Sequence, residues 1–280
     1  MSPFFVVDVF TRTPLEGNQL GVFPEASGLS GEAMQRLARE LNFSESVFVL
    51  PAEKGGDARV RIFTPRYEIP FAGHPVLGCA FVVGAETDAA TVTLETGLGP
   101  IPIELEREQG RIVFGRMRQA VPAWRPYEHE RGLLDALGVD RSGLPVEAYP
   151  NGPLHVYVAL ESEEAVAALR PDLMALEELG DFAANCFAGA GRSWKTRMFA
   201  PAGGVPEDPA TGSAAGPLAI HLARHGRTAF GDEIEIHQGA EVGRPSVLYA
   251  RADGTGDRVD RVEVGGSAVV VARGEFRFSG

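Results

Sequence analysis

Hydrophobic and polar residues alternate over short stretches along most of the chain. FFVVDVFT, ESVFVLP, ARVRIFTP, LHVYVAL and EIEIHQG are rich in Val, Ile and Phe and are bounded by Gly or Pro, which is typical of β-strands. One stretch, SGEAMQRLAREL, instead groups its apolar residues on a single helical face, with Ser30 as a candidate N-cap. The pattern predicts a sheet-rich, mixed α+β fold with few helices.

Two further segments, Pro75–Ala85 and Ser213–Arg224, show a different pattern. The first is apolar on every side, and the second is mostly apolar until its polar end. A helix without a polar face is one surrounded by protein. We therefore expect two central helices, each wrapped by a twisted sheet that is nearly closed into a barrel.

The chain also repeats itself. RIFTP at Arg61–Pro65 and RMFAP at Arg197–Pro201 share the pattern R-x-F-x-P, and 197 − 61 places them 136 positions apart. Each motif precedes a Gly/Pro-rich turn and then one of the two apolar segments. Duplication predicts two similar domains, residues 1–118 and 119–280, with the last strand free to return to the first domain. A ligand site is expected in the cleft between the domains.

Composition narrows the classes of function. The chain has 280 residues and a formal charge of −12, which argues against nucleic acid or an anionic membrane as a partner. It contains no apolar stretch long enough to span a bilayer, and its first residues read as a strand and not as a signal peptide. With only Cys79 and Cys186, a disulfide scaffold is not expected. We expect a cytoplasmic protein without a membrane partner.

The starts of the two apolar helices, Gly73-His74 and Gly212-Ser213, are candidate ligand contacts. First-turn N–H groups have no partner within a helix and carry partial positive charge. If the halves are duplicates, both helix starts point into the same cleft, where they suit a substrate carboxylate.

Glu45 in LNFSESVFVLP is the candidate general base, because it lies between an amphipathic helix and a strongly apolar strand. Burial there would raise its pKa toward the working range of a base. An ordinary turn or capping role is the alternative for Glu45 and also for Asp208. His221 and His225 have a zinc-like spacing without an obvious third ligand, so a packing or surface role is expected and no metal site.

The sequence resembles the PhzF-like family over essentially its whole length. The resemblance rests on LEGNQLGVF, LARELNFSESVFVLP, RIFTPRYEIPFAGHPVLGCA, NCFAGAGRSWKTRMFAPAGGVPEDPATGSAAGPLAIHLARHG and QGAEVGRPSVLYA. It implies the diaminopimelate epimerase-like fold, in which two similar domains each wrap a barrel-like sheet around a central helix. It also implies isomerisation of trans-2,3-dihydro-3-hydroxyanthranilate, a small zwitterionic cyclic substrate, without metal or organic cofactor, by a homodimeric enzyme.

Residue roles follow from the same resemblance. Glu45 is implied as the acid/base that moves a proton along the substrate ring. The remaining implied residues are the catalytic His74 and Asp208 and the substrate-binding Ser44, Gly73, Gly212 and Ser213. Phe43 departs from the family, where relatives often carry Leu, so the resemblance implies the reaction type more firmly than the exact substrate.

Two other functions stay open. Epimerases of this fold commonly use two cysteine thiolates on opposite faces of a stereocentre, but neither Cys79 nor Cys186 falls at a helix start. Both are interpreted as buried structural thiols. A small-molecule binding protein that retains the fold without catalysis is the third hypothesis.

Overall fold

The computed structural model describes residues 2–277 and divides into two compact units. Unit 1 comprises residues 1–118 and 265–280, and unit 2 comprises residues 119–264. Residues 1 and 278–280, at the outer ends of the two expected domains, lie outside the described range.

The elements are named in chain order. The strands are β1 (Ser2–Val9), β2 (Asn18–Phe23), β3 (Glu45–Leu50), β4 (Ala58–Phe63), β5 (Glu68–Ile69), β6 (Thr91–Thr96), β7 (Gly99–Glu108), β8 (Arg111–Gln119), β9 (Arg125–Pro126), β10 (Glu147–Pro150), β11 (Leu154–Ala159), β12 (Ala183–Ala190), β13 (Ser193–Ala200), β14 (Val205–Asp208), β15 (Glu233–Gln238), β16 (Ser246–Thr255), β17 (Arg258–Gly266) and β18 (Ala268–Phe276). The helices are α1 (Gly31–Leu41), α2 (Gly73–Gly84), α3 (Glu130–Leu137), α4 (Glu163–Ala168), α5 (Leu173–Glu178) and α6 (Gly212–Arg224).

The sheet of unit 1 is mixed. β18 pairs antiparallel with β1, and β1 with β2. β2 runs parallel to β3, β3 antiparallel to β4, and β4 parallel to β6, which continues antiparallel into β7 and β8. Each parallel pair is joined through a helix, α1 between β2 and β3 and α2 between β4 and β6, because parallel neighbours need a crossover connection.

Helix α2 is the predicted central helix of unit 1. Every one of its residues except Val83 is buried, and it packs against β1, β2, β3, β6, β7 and β18. It begins at Gly73, two residues before the apolar segment Pro75–Ala85, so Pro75 is its third residue. Proline is tolerated there because the first four N–H groups of a helix have no partner in any case.

Helix α1 covers the opposite face of the same sheet. The Ser30 hydroxyl accepts a hydrogen bond from the Ala33 N–H, which confirms the expected N-cap, and Asn42 ends the helix in the left-handed conformation with φ 52°. The apolar face of α1 packs on a phenylalanine cluster that includes Phe48 and Phe63. The left-handed turn at Asn42 ends α1, and β3 begins three residues later, at Glu45.

Unit 2 repeats this topology. β10 pairs antiparallel with β11, β11 parallel with β12, β12 antiparallel with β13, and β13 parallel with β15, which continues antiparallel into β16. The short β14 lies antiparallel on β13, as β5 does on β4. The order of strand directions matches unit 1 from β1–β2 through β6–β7, which confirms the expectation of two similar domains built on a mixed α+β plan.

Helix α6 is the central helix of unit 2, and it is buried from Gly212 to Leu222. It contacts β11, β15 and β16. The outer face of the sheet is covered by α3, α4 and α5. Leucines of α3 and α5 form one buried cluster with the outward residues of β10–β13, and α4 packs against β12 and β13. Within residues 2–277, no helix combines the length and apolar character required to cross a bilayer.

A close approach of α2 to the sheet makes Gly78 a sensitive position. A Cβ added there would lie 2.6 Å from Cγ2 of Val9 and 2.7 Å from Cδ2 of Leu20. We expect Gly78→Val to lower the free energy of unfolding by about 1–3 kcal/mol through overpacking. Gly28→Val is the matched control, since a Cβ at Gly28 meets nothing within 4 Å. Equal denaturation midpoints for the two variants would contradict this packing.

Candidate active site

The alternation of strand side chains determines where Glu45 points. In β3, Phe48 and Leu50 pack with α1 in the phenylalanine cluster. Residues at odd positions therefore face the other side of the sheet, toward α2. Glu45 is the first residue of β3 and pairs with Leu20 of the parallel β2. Its carboxyl group thus lies on the α2 face, at the end of the strand.

Glu45 meets the first turn of α2 at His74. Oε2 of Glu45 lies 3.3 Å from Nδ1 of His74, and the two side chains are 13% and 2% exposed. Burial lowers the pKa of His74 to about 3, with the Gln19 backbone acting in the opposite direction. The imidazole is therefore neutral near pH 7, so its contact with Glu45 is not an ion pair.

Nδ1 of His74 can act as a hydrogen-bond donor or as an acceptor, and a neighbouring group suits each role. As a donor it can serve an ionised Glu45, and as an acceptor a protonated Glu45. Nδ2 of Asn18, 3.4 Å away, is a second donor for the accepting state. The other ring nitrogen, Nε2, is buried without a hydrogen-bond partner among residues 2–277. A buried polar atom of this kind is a typical contact point for a ligand.

The two other residues expected in this half of the site lie beside Glu45 and His74 in sequence. Gly73 is the buried first residue of α2, and its N–H belongs to the group without intrahelical partners. Ser44 is half-buried in the turn that precedes β3. Unit 1 therefore presents a carboxyl group, a neutral imidazole and a helix N-terminus in one place.

In unit 2, Asp208 ends β14, three residues before Thr211, the N-cap of α6. It is 4% exposed, and its Oδ2 accepts a hydrogen bond of 2.7 Å from the Thr211 hydroxyl. Gln238, at the end of β15, donates to the Asp208 carbonyl and the Thr211 hydroxyl and accepts from the Thr211 N–H. The loop that carries Asp208 into α6 is therefore fixed by side chains of its own sheet.

The first turn of α6 is held from the sheet as well. Pro217 has no N–H to give to the Ser213 carbonyl four residues earlier, and Nδ2 of Asn151 donates to that carbonyl instead, at 2.8 Å. Nε2 of Gln119 donates to the Gly212 carbonyl. The Ser213 hydroxyl lies 3.0 Å from Nε2 of His155. Sequence reasoning had named Gly212 and Ser213 but none of the side chains that hold them.

The structure therefore assembles the predicted residues into one set in each unit. Four of the residues missed by sequence reasoning share a feature: each is a polar residue at a strand position that faces the central helix. They are Asn18, His155, Asn185 and Gln238. An inward polar residue in an otherwise apolar strand, as in LHVYVAL, is the signal that identifies them.

Both cysteines agree with a structural role. Cys79 lies inside α2 and Cys186 inside β12, and both are fully buried free thiols. Burial raises the pKa of each thiol to about 12. Because the thiolate and not the thiol is the reactive form, neither cysteine is suited to take a proton from a substrate near pH 7.

The histidine pair at the end of α6, His221 and the C-cap residue His225, does gain a third potential ligand, Glu147 of β10. The ligand atoms of Glu147, His221 and His225 lie within 4.8 Å of one another. However, Nη1 of Arg224 lies 2.7 Å from the same Oε2 of Glu147 that both histidines contact at 3.1 Å. The guanidinium already supplies the positive charge that a metal would bring, so the cluster is better explained as the anchor for the end of α6.

The fold places the chain in a structural class. It superposes on a hydroxyproline epimerase from Agrobacterium vitis with a TM-score of 0.67 at 13% identity, covering 98% of this chain and 91% of the epimerase. A PhzF-family phenazine biosynthesis protein from Bacillus anthracis matches with a TM-score of 0.84 at 25% identity, covering 99% of each chain. The fold is thus epimerase-like, as the sequence indicated.

Residues 7–274 match the PhzC-PhzF family model, described as phenazine biosynthesis-like protein, and the chain belongs to that family. It is 55% identical over 274 residues to the trans-2,3-dihydro-3-hydroxyanthranilate isomerase of Pseudomonas aeruginosa, covering 98% of this chain and 99% of that enzyme. The resemblance read from the sequence motifs is thereby confirmed at the level of the family.

The Glu147 cluster predicts a pH-dependent stability. Burial alone would raise the pKa of Glu147, but hydrogen bonds from His221, Tyr149, Arg224 and His225 together hold it well below its usual range. A carboxyl whose folded pKa is lowered stabilises the fold above its unfolded pKa, and the contribution is lost as the pH falls below it. We expect Glu147→Gln to cost about 3 kcal/mol near pH 7.

The measurement is the free energy of unfolding of wild type and variant at several pH values. The difference between them should be largest near neutral pH and shrink below about pH 4.3. Glu68→Gln is the control, because Glu68 pairs with Arg61 at the surface, where such a pair contributes at most about 1 kcal/mol. A Glu147→Gln penalty that does not change with pH would refute the interpretation.

Proposed function

We propose that this chain is a cofactor-independent isomerase that converts trans-2,3-dihydro-3-hydroxyanthranilate to an amino-ketone by acid/base proton transfer. The observation that carries the proposal is the contact of 3.3 Å between Glu45 and the neutral His74 at the start of α2. The proposal is supported by the name and the 55% identity of the Pseudomonas aeruginosa relative.

In the proposed step, the Glu45 carboxylate takes the proton from the ring carbon that bears the hydroxyl group. The electron pair of that C–H bond moves into the ring and shifts the adjacent double bonds. Glu45, now protonated, returns the proton to a carbon further along the ring, and the resulting enol relaxes to the ketone. Atoms and electrons balance without an oxidant or a leaving group, so one carboxyl group is sufficient.

The surroundings of Glu45 suit this cycle. A positioned acid/base contributes about 10²–10⁴-fold to a rate, provided that it can hold the proton in both states. Nδ1 of His74, 3.3 Å from Oε2 of Glu45, is able to donate to a carboxylate and to accept from a carboxylic acid, so it can partner Glu45 at each stage of the cycle. A neutral His74 also leaves Nε2 able to contact the substrate hydroxyl.

Substrate-binding roles are also assigned to residues of unit 2. Asp208 is suited to the amino group of the substrate, because a buried carboxylate favours a cationic partner. The N-terminal residues of α6, Gly212 and Ser213, are suited to a carboxylate. In unit 1, Gly73 and Ser44 are likewise proposed as substrate-binding residues. The homodimeric state and the cytoplasmic location inferred from the sequence remain predictions.

Replacement of Glu45 by Gln tests the central role. Glutamine has nearly the same shape but cannot take a proton from carbon, so we expect kcat to fall by about 10²–10⁴-fold while the affinity for the substrate changes little. Conversion is followed by NMR in deuterated water, starting from the dihydro-hydroxyanthranilate. The exposed Glu25→Gln is the matched control. Turnover by Glu45→Gln within about tenfold of wild type, well short of the loss expected for an acid/base, would remove Glu45 from the mechanism.

The buried thiols provide the test against a two-thiolate epimerase mechanism. We expect Cys79→Ala and Cys186→Ala to retain most of the wild-type kcat, since each thiol is held in its protonated form by burial. Any loss should appear in the denaturation midpoint, because each variant leaves a small cavity in a core. A kcat reduced by more than about 10²-fold in a stably folded variant would instead favour thiol chemistry.

A further inference from the structure

Unit 2 contains a buried chain of three polar side chains that ends at the start of α6. Nδ2 of Asn185 lies 3.3 Å from Nδ1 of His155, and Nε2 of His155 lies 3.0 Å from Oγ of Ser213. His155 is 0%, Ser213 2% and Asn185 3% exposed. Strand alternation places His155 of β11 and Asn185 of β12 on the face toward α6, opposite the outward Val156 and Cys186.

The hydrogen bonds of this chain determine its proton positions. Nδ2 of Asn185 also donates to the Ala183 carbonyl at 2.8 Å, which fixes the amide with its nitrogen toward both neighbours. Nδ1 of His155 must then accept. A neutral imidazole carries its one proton on the other nitrogen, so Nε2–H donates to the Ser213 oxygen. The hydroxyl proton of Ser213 is consequently directed away from His155.

This arrangement differs from the serine nucleophile that it resembles. In a Ser-His-Asp triad, a carboxylate accepts the Nδ1–H and leaves Nε2 bare to take the serine proton. In chymotrypsin-like proteases, an asparagine in place of that aspartate holds the histidine in the wrong tautomer for this task. With Asn185 in the third position, His155 cannot act as the base of Ser213. Ser213 is suited to donate a hydrogen bond and not to attack a carbonyl.

We infer that His155 and Asn185 are positioning residues that hold the Ser213 hydroxyl as a hydrogen-bond donor toward an anionic group of the ligand. The inference rests on the proposed function in one respect, that Ser213 contacts the substrate. Burial lowers the pKa of His155 to about 3, so the imidazole stays neutral across the pH range in which an enzyme works. Asn185, His155 and Ser213 therefore keep the same donor and acceptor roles across that range. Because its proton points away from His155, the Ser213 hydroxyl can donate a hydrogen bond to an acceptor such as a carboxylate.

The tautomer is tested without any ligand. A long-range proton–nitrogen correlation spectrum of labelled, full-length protein distinguishes protonated from bare ring nitrogens, and His155→Gln identifies which of the six histidines is observed. We expect the Nε2–H form for His155 from about pH 6 to 8, the range set by its lowered pKa. An Nδ1–H form or an imidazolium in that range would overturn the inference.

Kinetics test the link to Ser213. Ser213→Ala is expected to raise KM by about 10- to 100-fold, the usual effect of losing a hydrogen bond to a charged group, with a smaller change in kcat. His155→Leu should raise KM in the same way, and His155→Gln, whose amide can donate from the position of Nε2, should restore it. In the double variant with Ser213→Ala, His155→Leu should add nothing further to KM.

These experiments test separately whether His155 positions Ser213 and whether the protein has the proposed function. Additive effects of His155→Leu and Ser213→Ala, or a His155→Gln variant as impaired as His155→Leu, would overturn the positioning role even in an active enzyme. Folded wild type that does not convert the substrate would overturn the proposed function, while the spectrum still decides the tautomer. A general loss of folding in His155→Leu is recognised from its denaturation midpoint, and His155→Gln then carries the kinetic test.

Discussion

A helix that is surrounded by protein must satisfy the polar groups of its first turn without help from bulk water. This requirement applies to α2 and α6, whose first turns are buried. Neither helix has a side-chain cap for its first-turn N–H groups, whereas the carbonyl groups of the first turn of α6 do have side-chain partners. In unit 2, Gln119, Asn151 and Tyr157 donate to three successive carbonyls of the first turn of α6. Inward polar residues of the strands therefore follow from the burial of the helix.

The same requirement explains why the chemistry lies where it does. An apolar core offers few places for ionisable groups, because an unpaired buried charge is costly. The ends of the central helices are exceptions, since N–H groups and inward polar side chains already meet there. Glu45 and Asp208 both lie at strand ends beside these helix starts. The opposite end of α6 shows the structural use of the same chemistry, where Glu147 binds Arg224 and two histidines.

Local patterns in the sequence were sufficient for much of this arrangement. The two apolar segments predicted the central helices, and the R-x-F-x-P repeat predicted two similar halves. Strand periodicity also places Glu45 on the inner face once β3 begins at that residue. The partners His155, Asn185 and Glu147 were not predicted, because their roles depend on which strands pair and in which register. His155 pairs with Ala183 across parallel strands joined by α4 and α5, and no short sequence window contains that neighbour.

The repeated topology gives the two units equivalent positions, and different residues occupy these positions in the two units. The equivalent positions are the first residue of β3 and β12, the last of β5 and β14, and the second of α2 and α6. They are occupied by Glu45, Ile69 and His74 in unit 1 and by Ala183, Asp208 and Ser213 in unit 2. A mechanism with two interchangeable bases would require the same chemistry at one equivalent position in both units. Here each carboxyl group has an apolar counterpart, and the helix residues are a neutral imidazole in one unit and a hydroxyl in the other. This difference between the equivalent positions of the two units favours a reaction in which one group carries the proton and the other groups hold the substrate.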